Sequence, residues 1–325
     1  MSEWVADVLG EGYLHRTLAL GDDPDDEGEI VATLVKADPP PEAHHAFLWV
    51  HGFSDYFFQT ELAEFMTVRG YAFYALDLRK CGRSRRPGQT PHFTSDLRHY
   101  DAELNRSLAI VEEETRGLPV VLGAHSTGGL VLSLWLHRMR STGGSHAGSV
   151  DGLVLDSPWF DLQGAPWMRS IGTQAVRGVA HVKPYRKLNL PKTSVYGKSL
   201  HKDFGGEWDY DLEWKPLGGC AVTYGWLNAI RRGHARLHRG LDVGVPSLVL
   251  RSDKTWFGSR RLPQADISDV VLDARQIGRW VGCLGGAVTS LPIADARHDV
   301  FLSRQPAREA AYAAVDRWLD SWIPR

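Results

Sequence analysis

The sequence of 325 residues contains only three cysteines, Cys81, Cys220 and Cys283, and no pair of them has a C-x-x-C spacing. Because three cysteines cannot all pair within one chain, we expect no disulfide framework and predict a reducing, cytoplasmic location. The lack of a metal-type cysteine spacing gives no reason to expect a metal centre. We therefore predict no metal and no cofactor.

Long apolar runs and an excess of either charge are also missing. No apolar run approaches the about 20 residues that cross a bilayer, and residues 1–7 lack the basic and apolar regions of a signal peptide. The formal net charge is −2 and the pI is about 6.7, so we expect no face that binds nucleic acid. The composition predicts no stable membrane insertion and no nucleic-acid partner, and it leaves the oligomeric state open.

Apolar runs and helical patterns alternate along most of the chain, of which 43% is hydrophobic. The predicted strands are 14–18, 29–35, 46–50, 71–78, 119–125, 152–156, 246–250 and 287–293. The predicted helices are 60–68, 99–114, 128–140 and 306–323. This alternation is typical of an α/β fold with a mostly parallel sheet covered by helices on both faces.

The alternation stops between residues 159 and 240, where helical pieces and aromatic residues replace clear strands. We predict that residues 1–158 and 241–325 form the core domain, with residues 159–240 inserted as a helical lid. The tryptophans of this segment are Trp159, Trp167, Trp208, Trp214 and Trp226. Such aromatic side chains suit either an apolar acyl or aromatic ligand, or a small core of the lid itself.

A strand, a sharp turn and a helix are predicted around Ser126. The apolar run 119–122 leads into Ala124-His125-Ser126-Thr127-Gly128, and a helical pattern follows at once. A nucleophilic serine on a strained strand-to-helix turn usually has the pattern G-x-S-x-G, with small residues flanking the turn. Ala124 replaces the first glycine. A serine capping a helix is the common alternative for such a residue.

Three further motifs follow strands of the predicted sheet. His51-Gly52 comes after the strand at 46–50, and the segment 77–84 has the form D-x-R-x-x-G-x-S. His298 is selected among 14 histidines because it follows the last predicted strand. We expect Asp77 and Arg79 to hold their loop, and we expect Cys81 to be exposed and not nucleophilic.

Together these motifs resemble the α/β-hydrolase superfamily, in particular its branch of monoacylglycerol lipases, lysophospholipases and serine aminopeptidase-like enzymes. The resemblance spans about residues 45–320. It implies an α/β-hydrolase fold in which a lid covers an acyl-binding pocket. It also implies that Ser126 is the nucleophile, that His298 is its base, and that the backbone N–H groups of Phe53 and Thr127 form an oxyanion hole.

The acid that completes the triad should follow the strand at 246–250. Asp269 is favoured because its separation of 29 positions from His298 fits one helix plus one strand. Asp253 directly follows the strand and is the alternative acid, and Asp266 and Asp273 are further candidates. With Asp269 as the acid, residues 252–268 would be an insertion.

The predicted reaction is a two-step acyl transfer through an acyl-enzyme intermediate. The predicted substrate is a small-molecule or lipid ester, namely a monoacylglycerol, a lysolipid or a small acyl ester. Hydrolysis of an amide or peptide, as in an aminopeptidase, and acyl transfer to an alcohol are alternatives with the same triad. A non-catalytic member that only binds a ligand is a further alternative.

Overall fold

The computed structural model describes residues 3–143, 148–162, 176–190, 193–258, 260 and 262–323. The strands in these ranges are β1 (Val5–Ala6), β2 (Tyr13–Asp22), β3 (Glu29–Ala37), β4 (His45–Val50), β5 (Tyr71–Asp77), β6 (Val120–His125), β7 (Val150–Asp156), β8 (Ser247–Ser252) and β9 (Val288–Ile293). They form one sheet in the order β1-β2-β3-β5-β4-β6-β7-β8-β9. The pairs β1–β2, β2–β3 and β3–β5 are antiparallel, and the remaining pairs are parallel. The predicted mostly parallel sheet is therefore confirmed.

The central strands are apolar throughout because both of their faces are covered. In β4, Ala46, Leu48 and Val50 face one hydrophobic cluster, and Phe47 and Trp49 face another. All five side chains are at most 1% exposed. Parallel strands buried on both faces have this continuous apolar pattern, which explains why the sequence predicts them well.

Helices cover the two faces of the sheet. Their bounds are α1 (Thr60–Val68), α2 (Asp101–Glu114), α3 (Thr127–Thr142), α4 (Val195–Leu200), α5 (Tyr224–Leu237), α6 (Ala274–Trp280) and α7 (Gln305–Trp322). Residues of α2, α3, α5 and α6 belong to the first cluster, and residues of α1 and α7 belong to the second. This arrangement confirms the predicted helices on both faces. None of the helices described is long and apolar enough to cross a membrane.

Residues 159–240, called the inserted segment below, lie between β7 and β8. They include α4, α5 and a further helical stretch at 176–182. Residues 163–175, 191 and 192 lie outside the described part, so the division into a core domain and a lid stays a prediction. Residues 259 and 261 of the predicted insertion at 252–268 are also outside it.

Candidate active site

Ser126 lies on the sharp turn between β6 and α3. Its φ of 52° and ψ of −117° are unusual for a residue with a side chain and indicate local strain. The turn is held by its backbone. The Ser126 N–H donates to the Asp156 carbonyl at 2.9 Å, and the Ser126 carbonyl accepts from the N–H groups of Gly129 and Trp159 at 3.0 Å each. The predicted strand, turn and helix are present.

Glycine is needed where the end of β4 approaches this turn. A Cβ on Gly128 would lie 2.4 Å from the carbonyl oxygen of His51, so no larger residue fits without a shift. A Cβ on Gly129 would lie 2.7 Å from Cβ of Pro158. Ala124, which replaces the first glycine of the usual pattern, is fully buried in the first hydrophobic cluster. Its methyl group is therefore accommodated in the core.

The structure brings Ser126, His298 and Asp269 together from three separate turns. Oγ of Ser126 lies 3.0 Å from Nε2 of His298, and Nδ1 of His298 lies 2.9 Å from Oδ2 of Asp269. The three residues are 7%, 2% and 0% exposed, respectively. Both distances allow direct proton transfer or a hydrogen bond between the partners. The arrangement is that of a nucleophile, a base and an acid that orients the base.

Asp269 is fixed by its own loop. Its Oδ1 atom accepts hydrogen bonds from the N–H groups of Val271 and Leu272 at 2.8 and 2.7 Å. Its backbone is paired with residues 254–256, since its N–H donates to the Lys254 carbonyl and its carbonyl accepts from the Trp256 N–H. These contacts leave Oδ2 free to face the imidazole.

The other candidate acids have different partners. Asp253 accepts a hydrogen bond from the Asp295 N–H at 3.1 Å. Asp266 contacts two arginines of the segment that carries His298. Asp273 is the residue that caps α6. The structure thus places Asp269, and not Asp253, against the imidazole.

The loop that follows β4 packs directly against the turn that carries Ser126. A Cβ on Gly52 would lie 3.0 Å from Cβ of Ser126. Phe53, Thr127 and Gly128 help to line one small cavity. The two residues predicted to supply the oxyanion donors therefore border the same small space. Their role as donors stays a prediction.

The segment 77–84 is structural, as predicted. Oδ1 of Asp77 accepts from the Phe57 N–H at 2.8 Å, and its Oδ2 accepts from Nη1 of Arg83 at 2.8 Å. Arg79 forms a buried ion pair with Glu103. These contacts anchor the chain after β5 without contacting Ser126 or His298.

The prediction that Cys81 is exposed is wrong, because its loop folds inward and leaves the side chain 1% exposed. Its Sγ atom lies 3.1 Å from Nδ1 of His92. Burial raises the pKa of the Cys81 thiol well above its usual value, and burial lowers the pKa of His92 to about 3. Both groups are therefore neutral near pH 7, which does not favour a cysteine nucleophile.

Among the described tryptophans of the inserted segment, Trp226 packs against the loop after β4. Its ring centroid is 4.0 Å from that of Phe53 and 5.7 Å from that of Trp159. Trp208 instead donates to the Leu302 carbonyl at 3.0 Å. Trp214 packs edge-on against a tyrosine. Trp167 lies outside the described residues.

Two buried carboxyl groups, Asp156 at the end of β7 and Asp299 beside His298, interact electrostatically. Burial, and next the neighbouring charge of Asp299, raise the pKa of Asp156 well above its ordinary value. Both Asp156 oxygens face the Val300 N–H, at 3.1 and 3.2 Å. Asp156 therefore keeps its proton in the native state and ties the loop of His298 to β7. Sequence motifs gave no signal for this pair.

We expect the stability of Asp156→Asn, relative to that of the wild type, to increase as the pH rises. The native pKa of Asp156 is raised, so the wild type loses stability between the pKa of the unfolded carboxyl, near 3.8, and the native pKa. The amide resembles the protonated acid and does not titrate. The unfolding free energy of Asp156→Asn, relative to that of the wild type, should therefore increase by about 1 kcal/mol for each pH unit in this window. Urea unfolding at several pH values measures the difference, and a pH-independent difference would contradict it.

The comparisons with known proteins agree with this fold. The chain matches the family described as "Serine aminopeptidase, S33" over residues 41–265. No curated protein sequence matches the chain. Among solved structures, a soluble variant of monoglyceride lipase from Saccharomyces cerevisiae, in complex with a substrate analogue, is similar. It shares 16% sequence identity, with a TM-score of 0.64 and coverage of 100% of this chain and 96% of that chain.

Two other solved structures show the same fold. A monoacylglycerol lipase from Paleococcus ferrophilus shares 16% identity over 90% of this chain and 99% of that chain, with a TM-score of 0.62. A thermostable carboxyl esterase from Bacillus coagulans, in complex with glycerol, shares 12% identity over 95% and 99%, with a TM-score of 0.63.

The fold is that of the α/β-hydrolases. Because the family match covers more than half of the chain, the protein belongs to the serine aminopeptidase S33 family of this superfamily. The predicted resemblance is confirmed at this level.

Proposed function

We propose that the protein is a serine hydrolase that cleaves carboxylic esters through a Ser126–His298–Asp269 triad. The observation that carries the proposal is the continuous contact from Oγ of Ser126 through the imidazole to the Asp269 carboxylate, at 3.0 and 2.9 Å. A serine hydroxyl is a weak nucleophile unless a base removes its proton, and this geometry supplies that base.

In the proposed reaction, Nε2 of His298 accepts the proton of Ser126 as Oγ attacks the ester carbonyl. The N–H groups of Phe53 and Thr127 stabilise the oxyanion, and the imidazolium is stabilised by Asp269. The imidazolium then protonates the leaving alcohol, which gives an acyl-enzyme. Water, deprotonated by His298, attacks this intermediate and releases the carboxylic acid and the free serine.

The proposed substrate is a monoacylglycerol, a lysolipid or a small acyl ester. The aromatic contact between Phe53 and Trp226 supports an apolar acyl or aromatic group near the site. Two of the similar solved structures are lipases of monoacylglycerols, and a third is a carboxyl esterase. We also propose that the inserted segment acts as a lid over this group.

A chromogenic ester and a reagent that labels active serines test the proposal. We expect the protein to hydrolyse p-nitrophenyl esters, to be labelled by a fluorophosphonate, and to lose both properties in Ser126→Ala. A wild type that neither turns over esters nor reacts with the fluorophosphonate would contradict enzyme function and leave ligand binding alone.

Amide or peptide hydrolysis is the second candidate, and the description of the family as serine aminopeptidases favours it. The same triad can attack an amide, and His298 then protonates a departing amine instead of an alcohol. Matched p-nitroanilides of amino acids separate the two candidates. A larger kcat/KM for the anilides than for the esters would replace the ester proposal with this one.

A further inference from the structure

A lysine of the inserted segment is buried beside the loop that follows β4. Nζ of Lys215 lies 2.6 Å from Oδ1 of Asp55, and the two side chains are 6% and 1% exposed. Charges buried to this extent are costly unless they are paired, so each group depends on the other. The pair joins the inserted segment to the oxyanion loop, defined here as residues 51–55.

The Lys215–Asp55 pair also contacts His125, which is next to Ser126 and lies near Asp299, the neighbour of His298. Oδ2 of Asp55 lies 3.3 Å from Nδ1 of His125, which directly precedes Ser126. The Asp299 carboxylate, next to the base His298, lies 3.9 Å from the same nitrogen. A carboxylate oxygen of Asp55, a ring nitrogen of His125 and a carboxylate oxygen of Asp299 lie within 4.8 Å of one another. Lys215 supplies a positive charge beside this group.

A second contact ties the same two parts of the chain together. The N–H of Cys220 donates to Oγ of Ser54 at 2.5 Å, and Ser54 has a φ of 56°. Residues 215–220 therefore hold two successive residues of the oxyanion loop. Phe53, whose N–H is the proposed oxyanion donor, is the residue just before them.

The electrostatics indicate that Asp55 is ionised. Burial alone raises the pKa of this carboxyl, but the charge of Lys215 and then the contact with His125 lower it, and the net pKa is below the ordinary value. Burial lowers the pKa of His125, so its ring is neutral near pH 7. Lys215 is thus the cation that balances the Asp55 carboxylate.

We infer that Lys215 is a positioning residue for the proposed reaction. Through Asp55, and with the Cys220–Ser54 contact beside it, the inserted segment holds the oxyanion loop against the Ser126 turn. The oxyanion hole is therefore complete only while residues 215–220 contact that loop. This inference rests on the proposed function, because it assigns Lys215 to stabilising the transition state without touching the substrate.

The full chain carrying Lys215→Met tests the inference. We expect kcat for a p-nitrophenyl ester to fall about 10²-fold with little change in KM, as when an oxyanion donor is lost. The rate of fluorophosphonate labelling should fall in parallel. Lys215→Arg keeps the charge and should recover part of kcat. Lys202→Met is the matched control, since Lys202 forms an exposed pair with Asp209 in the same segment and should leave kcat unchanged.

Asp55→Asn and the double variant Lys215→Met/Asp55→Asn complete the test. Each single change leaves one buried charge without a partner, whereas the double change removes both charges. We therefore expect the double variant to have a higher kcat than Lys215→Met. Cooperative thermal unfolding of every variant shows that the comparison is between folded proteins. If Lys215→Met does not fold, the double variant is compared with the wild type instead: a lower kcat supports the inference, and a kcat equal to that of the wild type overturns it.

Two results would overturn the inference. One is a Lys215→Met protein with the kcat of the wild type, or with a loss confined to KM. The other is a double variant no more active than Lys215→Met, with the arginine variant equally impaired. Either result leaves the proposed function standing if the wild type is active and Ser126→Ala is not. A wild type without activity or labelling would instead remove the proposed function.

Discussion

Ser126→Ala is expected to lower kcat/KM for an ester by about 10⁵-fold or more. The loss should lie in kcat because alanine removes the atom that attacks the carbonyl, while the groups that bind the substrate remain. Only about 7% of Ser126 is exposed, and alanine is smaller, so the fold should tolerate the change. Steady-state kinetics on purified protein measure the effect.

The control for this prediction is Ser141→Ala. Ser141 is an exposed serine of the same helix α3, and its hydroxyl donates to the His137 carbonyl. We expect wild-type kinetics from this variant. If Ser126→Ala retained more than about a hundredth of the activity, another residue would have to be the nucleophile, because removing a triad nucleophile costs far more.

Asp269→Asn is expected to lower kcat by about 10⁴-fold while the overall structure is kept. An amide in this position can donate to Nδ1 of His298 and favour the wrong tautomer, so Nε2 no longer accepts the proton of Ser126. The amide also fails to stabilise the imidazolium that forms in the transition state. Kinetics of the folded variant, checked by its thermal unfolding, measure the effect.

Asp253→Asn is the matched control, because Asp253 contacts the Asp295 N–H and not the imidazole. Its kcat should stay close to that of the wild type. The opposite outcome, with Asp253→Asn inactive and Asp269→Asn active, would mean that Asp253 becomes the acid in the working enzyme.

The sequence predicts those parts of the molecule that depend on local pattern. The buried strands appear as continuous apolar runs, and Ser126 lies between such a run and a helical pattern. His298 is identified by its place after the last strand. Asp269 required an argument from fold topology, since a carboxylate followed by a helix and a strand is not itself a motif. The structure places its Oδ2 atom 2.9 Å from Nδ1 of His298.

Contacts between distant segments could not be predicted in this way. Lys215 and Asp55 are 160 residues apart, and nothing near either residue indicates its partner. The contact between Asp156 and the Val300 N–H likewise depends on how β7 approaches the loop of His298. The exposure of Cys81 was predicted wrongly because a loop between elements is usually on the surface, whereas the Cys81 side chain is buried and contacts His92.

The most direct test of the central claim is to trap the acyl-enzyme. Protein mixed with a p-nitrophenyl ester is quenched with acid during turnover, digested, and analysed by mass spectrometry. The proposal predicts that one acyl group is attached to the peptide that contains Ser126, and that Ser126→Ala carries none. Turnover accompanied by an acyl group on a different residue, or by none at any quench time, would contradict the claim that Ser126 is the nucleophile.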